Sequence, residues 1–187
     1  MIRSKKHLLL PCAIITFFQR IIILACIPIL SLGGCSKYSD EVQANLTKLK
    51  TTKSCSGCDL SGSNLTGANL SRVDLTEANL TNANLTDANL VMSILTSAKL
   101  VNTNLSRVKL SYANLSGVDI SDSLLVDASM NSSKILNSKI SDTNMTGANL
   151  YSADLTGTKV SKETLKDTVL CKTIMPSGQQ NDSGCKR

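Results

Sequence analysis

Four cysteines, Cys55, Cys58, Cys171 and Cys185, are the side chains of this chain with the most chemistry to offer. Cys55 and Cys58 stand in a C-x-x-C spacing, which supports thiol–disulfide exchange when a βαβ unit carries it. Four thiolates brought together would make a zinc set. In an oxidising compartment an even number reads instead as disulfides, and four cysteines allow three pairings. Cys12, Cys26 and Cys35 complete the seven. Acid–base chemistry has little to draw on, because the single histidine is His7. Which of these chemistries applies depends on the scaffold that positions the sulfurs.

That scaffold is written in a repeat. Every fifth position from Leu60 to Leu170 is Leu, Ile, Met or Val, 23 in a row. Three residues after each stands a second series, running from Cys58 through Ser63, Ala68 and Val73 to Thr158, and its 21 members are all small. The small series fails at Glu163, so the strict unit covers 56–160 and weakens through Leu170. Self-similarity of this kind governs the fold before any local motif does.

A period of five suits neither regular element. In an α-helix, five residues advance each leucine by about 140° and scatter the apolar positions around the cylinder. In a straight strand, leucines five apart alternate between faces. A chain that turns a corner once per repeat solves the problem: Ala83 and Leu85 stay inside while Asn84 points away. Stacked corners form a solenoid whose narrow axis takes one large and one small side chain per unit. No single coil buries its own apolar layer, so stability comes from stacking and the end coils need caps. Asn and Asp at the intervening positions suit turns.

The stretches CDLSGSNLTGANL, TEANLTNANLTDANL and TGANLYSADL resemble the pentapeptide-repeat proteins, whose signature is A(D/N)LXX. The resemblance covers about two thirds of the chain. It implies an all-β fold, a right-handed quadrilateral β-helix with four repeats per coil, five to six coils and a length of roughly 25–30 Å at the ~4.8 Å strand spacing. On that fold residues 20 apart stack. Asn64, Asn84 and Asn104 then form an outward column, interrupted by Leu124 and resumed at Asn144, of a kind that suits an amide ladder. Met92 and Tyr112 stack on another side with Val91 and Ile94 beside them, the least polar exposed group and the candidate partner patch.

The implied rod also constrains the sulfurs. It separates Cys55 and Cys58 from Cys171 and Cys185 by tens of ångströms, whereas a disulfide needs Cα atoms within about 7 Å. The expected pairs are Cys55–Cys58 and Cys171–Cys185, and a four-cysteine zinc site fails on the same distance. The C-x-x-C-D-L entry and the Cys-closed tail containing TIMPSG are similar to end segments of exported family members, where they close the coil. A thiol-redox role for Cys55 and Cys58 lacks the βαβ setting.

The N-terminus bears on location. Arg3, Lys5, Lys6 and Arg20 precede the apolar run IIILACIPILSLGG, shorter than the roughly 20 residues of a spanning helix. It reads as a signal peptide over 1–34, and Leu32-Gly33-Gly34-Cys35 resembles a bacterial lipobox with Cys35 as the lipidated first residue. The alternative is an uncleaved N-terminal anchor using both apolar stretches between 8 and 34. Either way the repeats lie outside the cytoplasm, where disulfides persist. Residues 35–54 form a lipidated tether and capping helix, with Val42, Leu46 and Leu49 on one face after a Ser39 or Asp40 cap. The β-helix occupies 55–170 and a disulfide-closed cap 171–187.

Charge and composition then exclude function classes. The formal charge of +6 owes four positive groups to the leader; from Ser36 onward 16 Lys and Arg face 14 Asp and Glu, and within 56–170 the balance is 9 against 11. Lys99, Lys139 and Lys159 share one side, but Asp119, Asp122 and Asp142 interleave with them, which reads as a solvated mixed face. Tyr38, Tyr112 and Tyr151 are too few for a base-stacking platform, so no nucleic-acid partner is expected. Family members that bind DNA gyrase as DNA mimics imply a strongly acidic cytoplasmic rod, which this chain does not match. No cofactor, metal or catalytic set is expected on a convex rod without histidine. What remains is a non-enzymatic envelope lipoprotein, held to a membrane through Cys35, that presents a rigid surface to a protein or polymer or serves as a spacer; end-to-end pairing of rods stays open.

Overall fold

In the computed structural model, which describes residues 38–185, each pentad turns a corner. At Leu80–Ala83 the Ala83 N–H donates to the Leu80 carbonyl at 3.0 Å, and Asn82 within the turn has φ 60°. This turn requires a positive φ at its third residue, which Gly, Asn and Asp adopt most readily. Positive φ recurs every five residues at Arg72, Glu77, Asn82, Asp87, Met92 and Ser97.

Between corners the backbone bonds to the neighbouring coil. Asn79 donates to the Cys58 carbonyl at 2.9 Å and Leu80 to the Lys99 carbonyl at 2.8 Å. All the parallel pairings join residues 20 apart, as in the unbroken column Ser54, Asp74, Ile94, Asn114, Lys134, Asp154 and Ile174. Two of them lengthen into β1 (Lys139–Ile140) and β2 (Lys159–Val160), paired in parallel with Lys139 opposite Lys159. Four pentads therefore make one turn of a β-helix. The ladder reaches Ile174, a few residues into the segment assigned to the tail.

The two inward series fill the axis. Leu75, Leu80, Leu85 and Leu90 are fully buried, as are Ala78 and Ala88 between them; each such leucine contributes roughly 1.5–3 kcal/mol of burial. Hydroxyls in the small series would be a liability in a dry core unless bonded. Thr103, Ser123, Ser138 and Thr143 each donate to the carbonyl 23 residues earlier, at 2.6–2.9 Å, and so tie one coil to the next. Ser63 is equally buried but its hydroxyl has no partner. The inter-coil acceptor is missing there, because 23 residues before Ser63 the chain is already in the capping helix, and Ser63 does not make the alternative bond to the carbonyl three residues earlier that Ser93 and Ser133 make.

That helix, α1 (Asp40–Thr52), begins where the Ser39 side chain accepts from the Val42 N–H at 3.3 Å. Asp40 and Glu41 in its first turn and Lys50 in its last suit the helix dipole. It ends at Lys53, with φ 53° and its N–H on the Leu49 carbonyl. Val42, Leu46 and Leu49 are buried against the core cluster of the first coil, and Asn45 donates to the Asp59 carbonyl at 3.0 Å.

The opposite end is built differently. After Val160 the pentads give way to turns over 161–168, though Leu165 stays buried. β3 (Thr173–Ile174) then pairs antiparallel with β4 (Gln180–Asn181) in a hairpin. Gly184 packs so closely that a Cβ there would lie 2.7 Å from the Leu170 nitrogen.

Candidate functional site

The sulfurs are joined in two pairs. Cys55 and Cys58 are bonded at 2.11 Å with Cα atoms 5.2 Å apart, and Cys171 and Cys185 at 2.03 Å with Cα atoms 4.6 Å apart. Cys55 and Cys58 are both buried in the core cluster beneath α1, Cys55 in the apolar column and Cys58 in the small one. A sulfur so placed presents nothing to a substrate thiol. Among the described residues no group of three or more His, Cys, Asp or Glu could hold a metal, and no helix is long and apolar enough to cross a membrane. Cys12, Cys26, Cys35 and the apolar leader lie outside the described residues.

The exposed polar groups are largely committed within the rod. Asn64 accepts from both the N–H and the hydroxyl of Thr66, at 3.1 and 2.7 Å. Asn84 does the same with Thr86, Asn104 with Ser106 and Asn144 with Thr146. The amide ladder expected on this column is therefore replaced by bonds inside each pentad. Inter-coil amide bonds occur elsewhere, from Asn79 to Asp59 at 3.1 Å and from Asn102 to Asn82 at 2.6 Å. The recurrent Asn/Asp-x-Ser/Thr triplets are thus a structural device: the side-chain oxygen braces the next corner.

Where the bracing residue is Asp, the carboxylate is favoured over its acid. The Ser61 backbone N–H lowers the pKa of Asp59, and the Thr76 hydroxyl, with its N–H, lowers that of Asp74. Arg107 makes a two-pronged contact with Asp87 at 2.8 and 2.7 Å and lowers it likewise. On the face of Lys99, Lys139 and Lys159, Asp119 stands in the same column and meets the Lys139 ammonium at 3.4 Å. Asp119 separates Lys99 from the neighbouring pair Lys139 and Lys159, so the column forms no continuous basic track.

One edge breaks the polar pattern. Met92 and Ile94 are 46% and 45% exposed and Tyr112 is 62% exposed, while Val91 is half-buried. Met92 donates its N–H to the Ser111 carbonyl, next to Tyr112, so the two side chains occupy the same corner in adjacent coils. Both stand at positive φ, 59° and 61°, which is unfavourable for large side chains. Sequence reasoning missed Tyr151 and Val169, each 39% exposed, farther along the same side. Counting by 20 from Val91 through Ser111 and Asn131 reaches Tyr151, so the signal was present. Leu124 is also exposed but belongs to the column of Asn104 and Asn144 on a different face.

Comparison with known proteins places this architecture. The family model described as Pentapeptide repeats matches residues 54–90, 95–127 and 137–167 in 8 copies. No curated protein sequence matches. Among solved structures, a pentapeptide repeat protein from the thylakoid lumen of Arabidopsis thaliana is 23% identical, with 80% of this chain and 93% of that chain covered and a TM-score of 0.49. A pentapeptide repeat protein from the cyanobacterium Cyanothece 51142 is 28% identical over 67% of this chain and 97% of its own, with a TM-score of 0.37. HetL, from the cyanobacterium Nostoc and involved in regulating heterocyst differentiation, is 27% identical over 68% and 74%, with a TM-score of 0.30.

Proposed function

Because the chain belongs to the pentapeptide-repeat family, we propose that it is a non-enzymatic scaffold: an exported lipoprotein, anchored to a membrane through Cys35, that presents a rigid rod to a protein or polymer of the bacterial envelope. The coil is taken to be right-handed and quadrilateral with five to six turns, as the repeat signature implies. Residues 1–34 act as the signal, 35–54 as tether and cap, 55–170 as the rod and 171–187 as the closing segment. The observation that carries the binding role is the exposure of Met92, Ile94 and Tyr112 beside Val91 on a surface whose Asn and Asp side-chain oxygens largely brace the corners. Clustered apolar exposure of this kind marks interaction sites. Two cysteine pairs suit an oxidising compartment, and a near-neutral rod without an acidic face favours this reading over DNA mimicry. End-to-end pairing of rods is compatible with it.

Two experiments test the parts separately. Acyl labelling of wild type and Cys35→Ala reads the anchor: label is expected on the wild type alone, and label retained by the variant removes the assignment. Pull-downs from envelope extracts with the wild type and with Met92→Ser/Tyr112→Ser read the patch. A specific catch lost in the double variant supports binding there, whereas equal or empty catches reduce the rod to a spacer.

A further inference from the structure

The apolar edge continues past the patch, and its hydrogen bonds give the order of its residues. Arg72 N–H donates to the Val91 carbonyl, Met92 to Ser111, Tyr112 to Asn131, Ser132 to Tyr151 and Ser152 to Cys171, at 2.8–3.0 Å. Tyr112 and Tyr151 are therefore on one edge with the Asn131–Ser132 corner between them, two coils or about 10 Å apart along the rod. Beside Tyr151 lies a shallow cavity of about 480 Å³ whose lining includes Asn131, Asn149, Val169 and Lys172. The Asn149 side-chain oxygen accepts from the Tyr151 N–H at 3.0 Å and the Asn131 oxygen lies 3.4 Å from the Ser129 hydroxyl, so each amide has its amino group left to donate. The Lys172 ammonium sits 5.9 Å from the centre of the Tyr151 ring.

Building on the scaffold reading, we infer that this edge binds an extended β-1,4-linked N-acetylhexosamine strand, with Tyr112 and Tyr151 as two stacking platforms and the Asn131 and Asn149 amides between and beside them as donors to acetamido carbonyls. Three observations meet in this assignment. Successive sugar rings in such a strand alternate in orientation, so every second ring turns the same face toward the rod, at a period close to two coil rises. The axial C–H face of a sugar is apolar and weakly positive and suits the negative face of a tyrosine ring. Tyr112, finally, is 62% exposed at its corner, so its ring is open to a ligand.

The test is calorimetric titration of the full-length protein in detergent with N-acetylchitohexaose, N,N′-diacetylchitobiose and cellohexaose. The hexamer reaches both rings and is expected to bind roughly 10-fold more tightly than the dimer. Tyr112→Ala and Tyr151→Ala should each remove that advantage, and Tyr112→Phe should keep it. Tyr112→Asn should raise the melting temperature while lowering hexamer affinity, a combination that a purely structural tyrosine would not give. Equal affinity for hexamer and dimer, or affinity indifferent to both tyrosines, overturns the inference, and cellohexaose binding as well as N-acetylchitohexaose overturns the acetamido contacts. If no glycan binds but an envelope protein is captured and lost in Met92→Ser/Tyr112→Ser, the glycan inference falls and the scaffold reading stands; if neither binds, both fall.

Discussion

The two ends of the rod solve one problem by different means. At the N-terminal end α1 lays Val42, Leu46 and Leu49 over the first coil, and all three are buried. At the C-terminal end the last apolar layer is less completely covered: Val160 and Met175 are only partly buried and line, with Leu165 and Leu170, an open cavity of about 480 Å³. Closure there relies on the hairpin and the Cys171–Cys185 bond. An amphipathic helix gains its stability from the folded state, whereas a disulfide acts mainly by restricting the unfolded chain. The ends should therefore respond to different insults.

Core truncation under the helix should be the most damaging. Leu46→Ala is expected to lower the unfolding free energy by about 2–5 kcal/mol, read by urea denaturation followed by circular dichroism. At the other end, Cys171→Ser/Cys185→Ser opens a 15-residue loop, for which the chain-entropy estimate is about 3 kcal/mol, and the loss should be matched by reduction of the wild type. A difference of less than about 1 kcal/mol would show that the hairpin alone closes the rod.

A finer contrast sets the first coil against the middle ones. Ser63→Ala removes a buried hydroxyl that has no partner and should leave stability unchanged or raise it by about 1 kcal/mol, while Ser123→Ala, which breaks the bond to the Leu100 carbonyl, should lower it by about as much. The smallest effect concerns acid. The pKa of Asp74 is lowered in the fold, so its contribution is present above the unfolded carboxylate pKa, near 4, and is lost as pH falls through the lower folded value. Asp74→Asn, which keeps an acceptor oxygen but not the charge, should lower the melting temperature slightly at neutral pH and lessen its further fall in acid.

How much of this was legible beforehand depends on which atoms the repeat constrains. Leu85 and Ala83 could be placed inside because a period of five admits one arrangement, and Ser39, Val42, Leu46 and Leu49 spelled a capped amphipathic helix by spacing alone. Outward positions are held less tightly. The Asn64 column was read as a ladder because residues 20 apart stack, but an amide oxygen two residues from a hydroxyl and an N–H finds those partners first. Tyr151 lies one position off the Met92–Tyr112 column but in the column of Val91, 60 residues on, and the hydrogen bond from Ser132 shows that both columns share a corner.

The 20-residue register carries an implication for how such a chain can change in length. Inserting or deleting one pentad would preserve the core, since each quintet contributes the same pair of inward side chains, yet it would swing every outward residue beyond that point by a quarter turn. Tyr112 and Tyr151 would part company although neither had mutated. Evolution can thus extend or shorten the molecule freely at any corner, but only in steps of a whole coil can it do so without scrambling what the surface displays.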